Sequence, residues 1–220
     1  PDSILPGRTG SNIREFSEDE QTLLIARGIE MLRACGAEDV CAFRAGNFGA
    51  NFDTLRALDR NGILYDTSYN IGFLDSNCEM QTENLLFQPK NIHNVYEFPV
   101  SFFKDRPNHY RPTQLCACSS CEMEKALMEA WKHGWYSFVI VSHSFELINR
   151  RRKKVRADRI VIKRFNRLCH FLAKHRDKFH TATFSELAPD AIPAVASQTF
   201  RSNLFRTVWR YVEQLTIRCS

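Results

Sequence analysis

The sequence predicts an α/β protein built on a mostly parallel sheet. Short apolar runs of strand length alternate with longer segments of helical period, the pattern of parallel strands with covered faces. Several helical segments open on capping signals. Polar residues stand directly after the apolar runs, where α/β proteins carry their chemistry.

The elements follow in order. Ser17-Glu18-Asp19-Glu20 has the Ser-x-x-Glu form of a capping box, so a helix is predicted to start there. Leu24, Ile25, Gly28, Leu32 and Cys35 form its expected apolar face, and Gly36 supplies a left-handed stop. Val40 to Phe43 is then predicted as a short buried strand. Asn51 is the expected cap of a second helix, with Leu55 and Leu58 toward the sheet and Gly62 near its end. Ile63 to Tyr65 is the next predicted strand, and Asp66 follows it at once. Residues 71–93 are polar and weakly periodic, a long excursion of the functional or irregular kind. Tyr96 to Val100 is expected as a strand that Pro99 places at an edge or an end.

Ser119-Ser120-Cys121-Glu122 is another capping box, opening a predicted helix through Leu127, Ala130 and Trp131 to Gly134. Tyr136 to Val141 is the strongest predicted strand. A helix over Arg159 to His175 and a last strand near Phe179 to Phe184 complete the reading. About five strands are fewer than the roughly seven or eight of a closed β/α barrel. The sheet is therefore expected to be open, or the opening units to lie outside the chain.

At 220 residues, with 44% hydrophobic and 25% charged residues, the composition is that of an ordinary globular domain, and disorder is not the default reading. No run approaches the roughly 20 apolar residues of a membrane span, and no secretory leader opens the sequence. Pro1 is not an initiator methionine, so the chain is read as processed, trimmed or part of a longer one. Its eight cysteines are irregularly spaced and many, such as Cys35, Cys41 and Cys169, sit within apolar patterns. That usage points to reduced, buried thiols in a cytoplasm-like compartment. Cys116, Cys118 and Cys121 could bind zinc or cycle as a redox pair, but with no fourth ligand in view they read as loop cysteines entering a helix.

Residues 1–188 are read as one domain and 189–220 as a linker and an amphipathic tail helix. In the tail, Phe200, Leu204, Phe205, Val208, Trp209, Val212 and Leu215 alternate with Arg201, Arg206 and Arg210. Docking on the domain or on a second subunit is expected; an anionic membrane surface is the alternative. Arg150 to Arg156, with Lys163, Arg164 and Arg167, form a basic stretch. No recognition motif accompanies it and the net charge is only +5, so it reads as a solvated face and no nucleic-acid partner is favoured.

Three polar residues occupy equivalent places after three predicted strands: Arg44, Asp66 and His143. An Arg at such a rim can hold a carboxylate by two parallel hydrogen bonds. A His there can deliver a proton to a leaving group. The lesser reading for Arg44 and Asp66 is a buried pair that braces two loops. Tyr65, Tyr69 and Trp135 offer surfaces on which a sugar ring could stack, although core packing is the commoner use of such residues.

At these positions the chain resembles the polysaccharide deacetylase family, which shares a homology domain with the rhizobial nodulation-factor deacetylase. The resemblance is carried by Phe43-Arg44-Ala45-Gly46-Asn47, Asp66-Thr67-Ser68-Tyr69-Asn70 and Val141-Ser142-His143, in the family's order and strand contexts. Glu97-Phe98-Pro99-Val100 and His143-Ser144-Phe145-Glu146 match one branch further, so the likeness covers about Phe16 to Leu187. It implies a distorted β/α barrel and metal-dependent hydrolysis of N-acetyl groups on an amino-sugar polysaccharide or oligosaccharide. A divalent, zinc-like metal would polarise the amide and its bound water. Carried onto this chain, His143 would protonate the departing amine and Arg44 would tether the catalytic base. Asn47 would offer a backbone N–H to the oxyanion, and Asp66 would support the His.

The chain also departs from the family. The family's base and first metal ligand come from a Thr-Phe-Asp-Asp-like strand end, and two further ligands from a His-x-x-x-His-like motif, both before the Arg segment. Neither motif occurs here, and no His precedes Arg44. The family's later Asp-Trp pair is missing too. The expected identity is thus the C-terminal portion of such a domain, an incomplete barrel whose metal ligands are not in this chain. The alternative is a carbohydrate-binding relative without catalysis.

Overall fold

The structure is a computed structural model that describes residues 5–74, 76–149 and 156–188, together with Ile192 and Arg210. Two compact units emerge, one from Pro1–Pro99 with Ala182–Val195 and one from Val100–Thr181 with Ala196–Ser220. Each is described by itself.

In the first unit, helix α1 spans Glu18–Ala34 and begins on the expected capping box: Ser17 N donates to Glu20 Oε2 at 2.8 Å and Glu20 N to Ser17 Oγ at 3.4 Å. Its buried stripe is Gln21, Ile25 and Ile29, spaced four apart. This corrects the expected face, because Leu32 and Cys35 are exposed. The cause is Gln21, whose amide accepts from Thr54 Oγ1 at 2.6 Å and donates to the Phe16 carbonyl at 2.9 Å. A polar residue with buried partners turns the helix toward helix α2, Phe52–Arg60, on which α1 packs. Asn51 caps α2 and accepts from Thr54 N at 3.0 Å, while Leu55, Ala57 and Leu58 are buried without exposure.

Strands β1 (Ala42–Phe43), β2 (Tyr65–Asp66), β3 (Lys90–Ile92) and β4 (Val95–Glu97) form one sheet in the order β1-β2-β4-β3. β1, β2 and β4 run parallel, with Phe43 opposite Asp66 and Asp66 opposite Glu97. β3 is antiparallel to β4 and gives the long polar excursion a paired end. His93 and Asn94 make the two-residue turn with φ of 52° and 62°, the left-handed pair that a tight hairpin requires. The aromatic rings of Tyr65, Phe98 and Phe184 pack together, and Tyr65 Oη donates to the Leu187 carbonyl at 3.0 Å.

The second unit holds the antiparallel hairpin β5 (Phe102–Arg106) and β6 (His109–Pro112), helix α3 (Ser120–Lys132), the short pair β7 (Ile148–Asn149) and β8 (Arg156–Ala157), and helix α4 (Arg159–Lys174). The hairpin has no counterpart in the sequence reading. Ser119 and Glu122 form the expected capping box of α3, and Asp158 caps α4 by accepting from Ile160 N and Val161 N, each at 3.1 Å. Phe103, Cys118, Met123, Ala126, Leu127 and Ala130 make the core, with Trp135 and Phe138 packed against it.

Tyr136 to Val141 is not the regular strand predicted. Val141 alone forms a bridge, parallel to Gln114. Backbone bonds do reach the segment, from Ser101 N to the Val139 carbonyl at 3.1 Å, from Val141 N to the Thr113 carbonyl at 2.9 Å and from Leu115 N to the Val141 carbonyl at 2.9 Å. Side chains add to them, as Ser101 Oγ accepts from Val139 N at 2.9 Å and Thr113 Oγ1 donates to the Val139 carbonyl at 2.7 Å. The strand expected near Phe179 to Phe184 is also absent; a 3-10 turn, Phe184–Glu186, stands at its end. No sheet among the described residues is closed, and none of their helices is long and apolar enough to cross a membrane. The predicted tail helix lies outside the described residues except for Arg210, as does the basic run at 150–155.

Candidate functional site

Three parallel strands end side by side in the first unit, and each delivers a charged residue. Arg44 follows β1, Asp66 ends β2 and Glu97 ends β4. Arg44 donates from Nε to the Thr67 carbonyl and from Nη2 to Thr67 Oγ1, both at 3.1 Å. Its side chain reaches solvent, yet partial loss of water lowers its pKa, while the nearby charges of Asp66 and Glu97 raise it in opposition. No ion pair to Arg44 forms among the described residues.

Asp66 and Glu97 have no exposure at all. Asp66 Oδ1 accepts from Ser68 Oγ at 2.7 Å and Oδ2 from Ser68 N at 3.3 Å. Glu97 Oε1 accepts from Tyr69 N at 2.9 Å. Burial raises the Asp66 pKa, with hydrogen bonds from Glu97 and Ser68 working against it. Burial, and then the Asp66 charge, push the Glu97 carboxyl well above the usual range. Sequence reasoning missed Glu97 because it read as the interior of a strand. Its signal was the same as that of Asp66, an acid at the end of an apolar run.

Asn47 lies in a 3-10 turn, Gly46–Phe48, with φ of 54°, a left-handed conformation that Asn tolerates. It is exposed, and its N–H makes no hydrogen bond within the described residues. Tyr65 and Tyr69 are core residues, at 1% and 0% exposure, so neither ring is presented to a ligand surface. Trp135 is half-buried and tilted against Phe138 at 6.2 Å.

His143 belongs to the second unit, just before a 3-10 turn, Ser144–Leu147. Its Nδ1 stands 3.2 Å from Glu146 Oε1, and its ring stacks on Phe145 at 4.8 Å. The Glu146 side chain is only 7% exposed and also accepts from Gln114 Nε2 at 2.6 Å. With Glu146 Oε1 as the acceptor, Nδ1 carries the hydrogen, and Nε2 makes no hydrogen bond among the described residues. The Glu146 partnership was legible as a carboxylate three residues after a His, but went unread.

The seven described cysteines are free thiols, but Cys35 and Cys169 are exposed and Cys41 half-buried, where burial was expected. Burial and the adjacent Glu146 push Cys116 up to about 12, and burial and Glu122 do the same for Cys118. Arg164 is buried and donates to the Cys116 carbonyl at 2.7 Å, and Arg167 grips Glu124 at 2.6 and 3.0 Å. These two arginines of the basic stretch are thus committed within the protein.

Among the described residues no cluster of three or more His, Cys, Asp or Glu side chains could hold a metal ion. The described residues therefore offer no set that fits the divalent metal the resemblance implies. No family model, curated protein or solved structure matches the chain.

Proposed function

We propose that the chain belongs to a metal-dependent hydrolase of the polysaccharide deacetylase type, which removes N-acetyl groups from amino-sugar polymers. One observation carries the reading. Arg44 and Asp66 stand at the carboxyl ends of adjacent parallel strands, in the order and context the resemblance requires. Asn47 supports it with an exposed, uncommitted N–H suited to an oxyanion. His143 supports it with an imidazole whose Nδ1 is held and whose Nε2 is free to give a proton to the leaving amine. The reading needs metal ligands from residues other than those described, and no step is derived through them. Free thiols throughout the described residues support a reducing, cytoplasmic setting.

The test is acetate release from N-acetylglucosamine oligomers by the complete protein, with divalent metal supplied. His143→Ala is expected to lower turnover by about 100-fold or more, as loss of a general acid does, with metal content unchanged. A complete protein that binds these oligomers but releases no acetate would overturn hydrolysis and leave the carbohydrate-binding relative. Equal loss of metal and activity in His143→Ala would overturn the role given to His143.

A further inference from the structure

β2 and β4 are parallel neighbours with Asp66 opposite Glu97, so two acidic side chains project from adjacent strand ends on the same face of the sheet. Neither reaches solvent. Two ionised carboxylates in contact at such a place repel strongly and lack water to screen them. Their hydrogen bonds distinguish them. Both oxygens of Asp66 accept from Ser68, as a carboxylate does. Glu97 Oε1 accepts from Tyr69 N, while Glu97 Oε2 is buried and receives no donor. A buried oxygen without a donor is satisfied if it carries a hydrogen and donates it.

We propose that Glu97 is a positioning residue that carries a proton on Oε2 and donates it to Asp66, and that this one-proton pair clasps the rim of the first unit. Ser68 Oγ donates to Asp66 and accepts from Ala45 N at 2.9 Å, so the clasp extends to the loop that bears Arg44. Ala45, Ser68, Asp66, Glu97 and Tyr69 form one continuous chain of hydrogen bonds across three strand ends. The other titratable groups facing the pair are Arg44, a cation, and the Tyr69 phenol and Cys78 thiol. Burial pushes the phenol and the thiol up and keeps both neutral. The proposal does not depend on the deacetylase reading.

The sign of the pH dependence follows. Glu97 holds its proton in the folded chain to well above the ordinary range, whereas an unfolded glutamate loses it near about pH 4.3. Between those two values the folded state binds one more proton, and stability falls as pH rises. The ratio of folded to unfolded chain drops by up to tenfold per pH unit, about 1.4 kcal/mol.

Glu97→Gln tests this, because its amide keeps the oxygen that accepts from Tyr69 and replaces the O–H donor with N–H. In the full chain at neutral pH, the infrared difference between wild type and Glu97→Gln is expected to show the carbonyl band of a protonated, buried carboxyl. Urea unfolding across the pH range is expected to show wild type losing up to tenfold per pH unit relative to the variant. Asp66→Asn gives an independent comparison: burial still keeps the proton on Glu97, but the charged acceptor is gone, so the carbonyl band is expected to remain and to shift in frequency. No such band in wild type, a band that survives in Glu97→Gln, or a band unmoved by Asp66→Asn overturns the proposal, as do parallel stability curves.

Discussion

Replacing Arg210 with methionine tests how the second unit carries its buried charge. Arg210 has no exposure, and its guanidinium donates from Nη1 to Glu122 Oε1 at 2.9 Å and from Nη2 to Asp105 Oδ2 at 3.1 Å. Both carboxylate side chains are themselves fully buried. The two acids would not suffer equally. Asp105 retains Arg111 Nε at 2.7 Å and His109 Nδ1 at 2.5 Å, and these hold its carboxyl below the usual value against the upward push of burial. Glu122 retains the N–H and hydroxyl of Ser119, at 2.9 and 3.0 Å, with Arg111 acting at longer range. Burial already pushes its carboxyl up.

Breaking a buried pair by removing one partner costs about 3–5 kcal/mol. Glu122 can relieve part of that by taking up a proton, which brings Arg210→Met toward the lower end, about 3 kcal/mol. The relief sets a sign. With its folded pKa raised, Glu122 gives up its proton as pH rises, so the variant's deficit is expected to shrink on acidification and grow toward alkaline pH. Adding Glu122→Gln removes the charge that needs a partner, and the double variant is expected to recover about 1–2 kcal/mol over Arg210→Met alone. Urea unfolding followed by tryptophan emission reads the effect, since Trp131 lies in α3 and Trp135 packs on the same core. A loss below about 1 kcal/mol for Arg210→Met, or two losses that simply add, would refute a buried charge bridge of this kind.

Two further outcomes are expected. At pH 8 a thiol pushed up to about 12 is thiolate to only about one part in ten thousand, so Cys116 and Cys118 should alkylate at least 100-fold more slowly than the exposed Cys35 and Cys169; comparable labelling of all four in peptide mass spectra would contradict the burial. Glu146→Met removes the acceptor at His143 Nδ1, and nitrogen NMR of the neutral imidazole should show the ring leaving the Nδ1–H form; an unchanged tautomer would deny Glu146 its orienting role.

What the sequence made legible is what short-range chemistry decides. The capping boxes at Ser17 and Ser119 and the Asn51 cap are contacts between residues three apart, and all three open helices where the pattern placed them. The strand ends at Phe43 and Asp66 were legible because a polar residue interrupts an apolar run. Long-range partners are not written locally. Tyr136 to Val141 has the composition of a buried strand, but Val139 meets the hydroxyls of Ser101 and Thr113 as well as backbone groups, and only Val141 keeps a regular bridge. Gln21 hid in the same way: nothing beside it announces Thr54, yet that bond chooses the face α1 buries.

The same limit explains why Arg44 looked like a cation waiting for an absent carboxylate. Asp66 and Glu97 are far apart in sequence and meet only because β2 and β4 pair in register. If they share one proton, they carry a single negative charge between them, and Arg44 is a single positive charge that feels both acids. The rim then closes electrically on its own, with Arg44 balancing the pair through space while its hydrogen bonds go to Thr67. Stripping the proton would leave two negative charges against one positive in a place without water. Holding Arg44 and holding the Glu97 proton are therefore one electrostatic problem, and a change at either residue should be felt at the other.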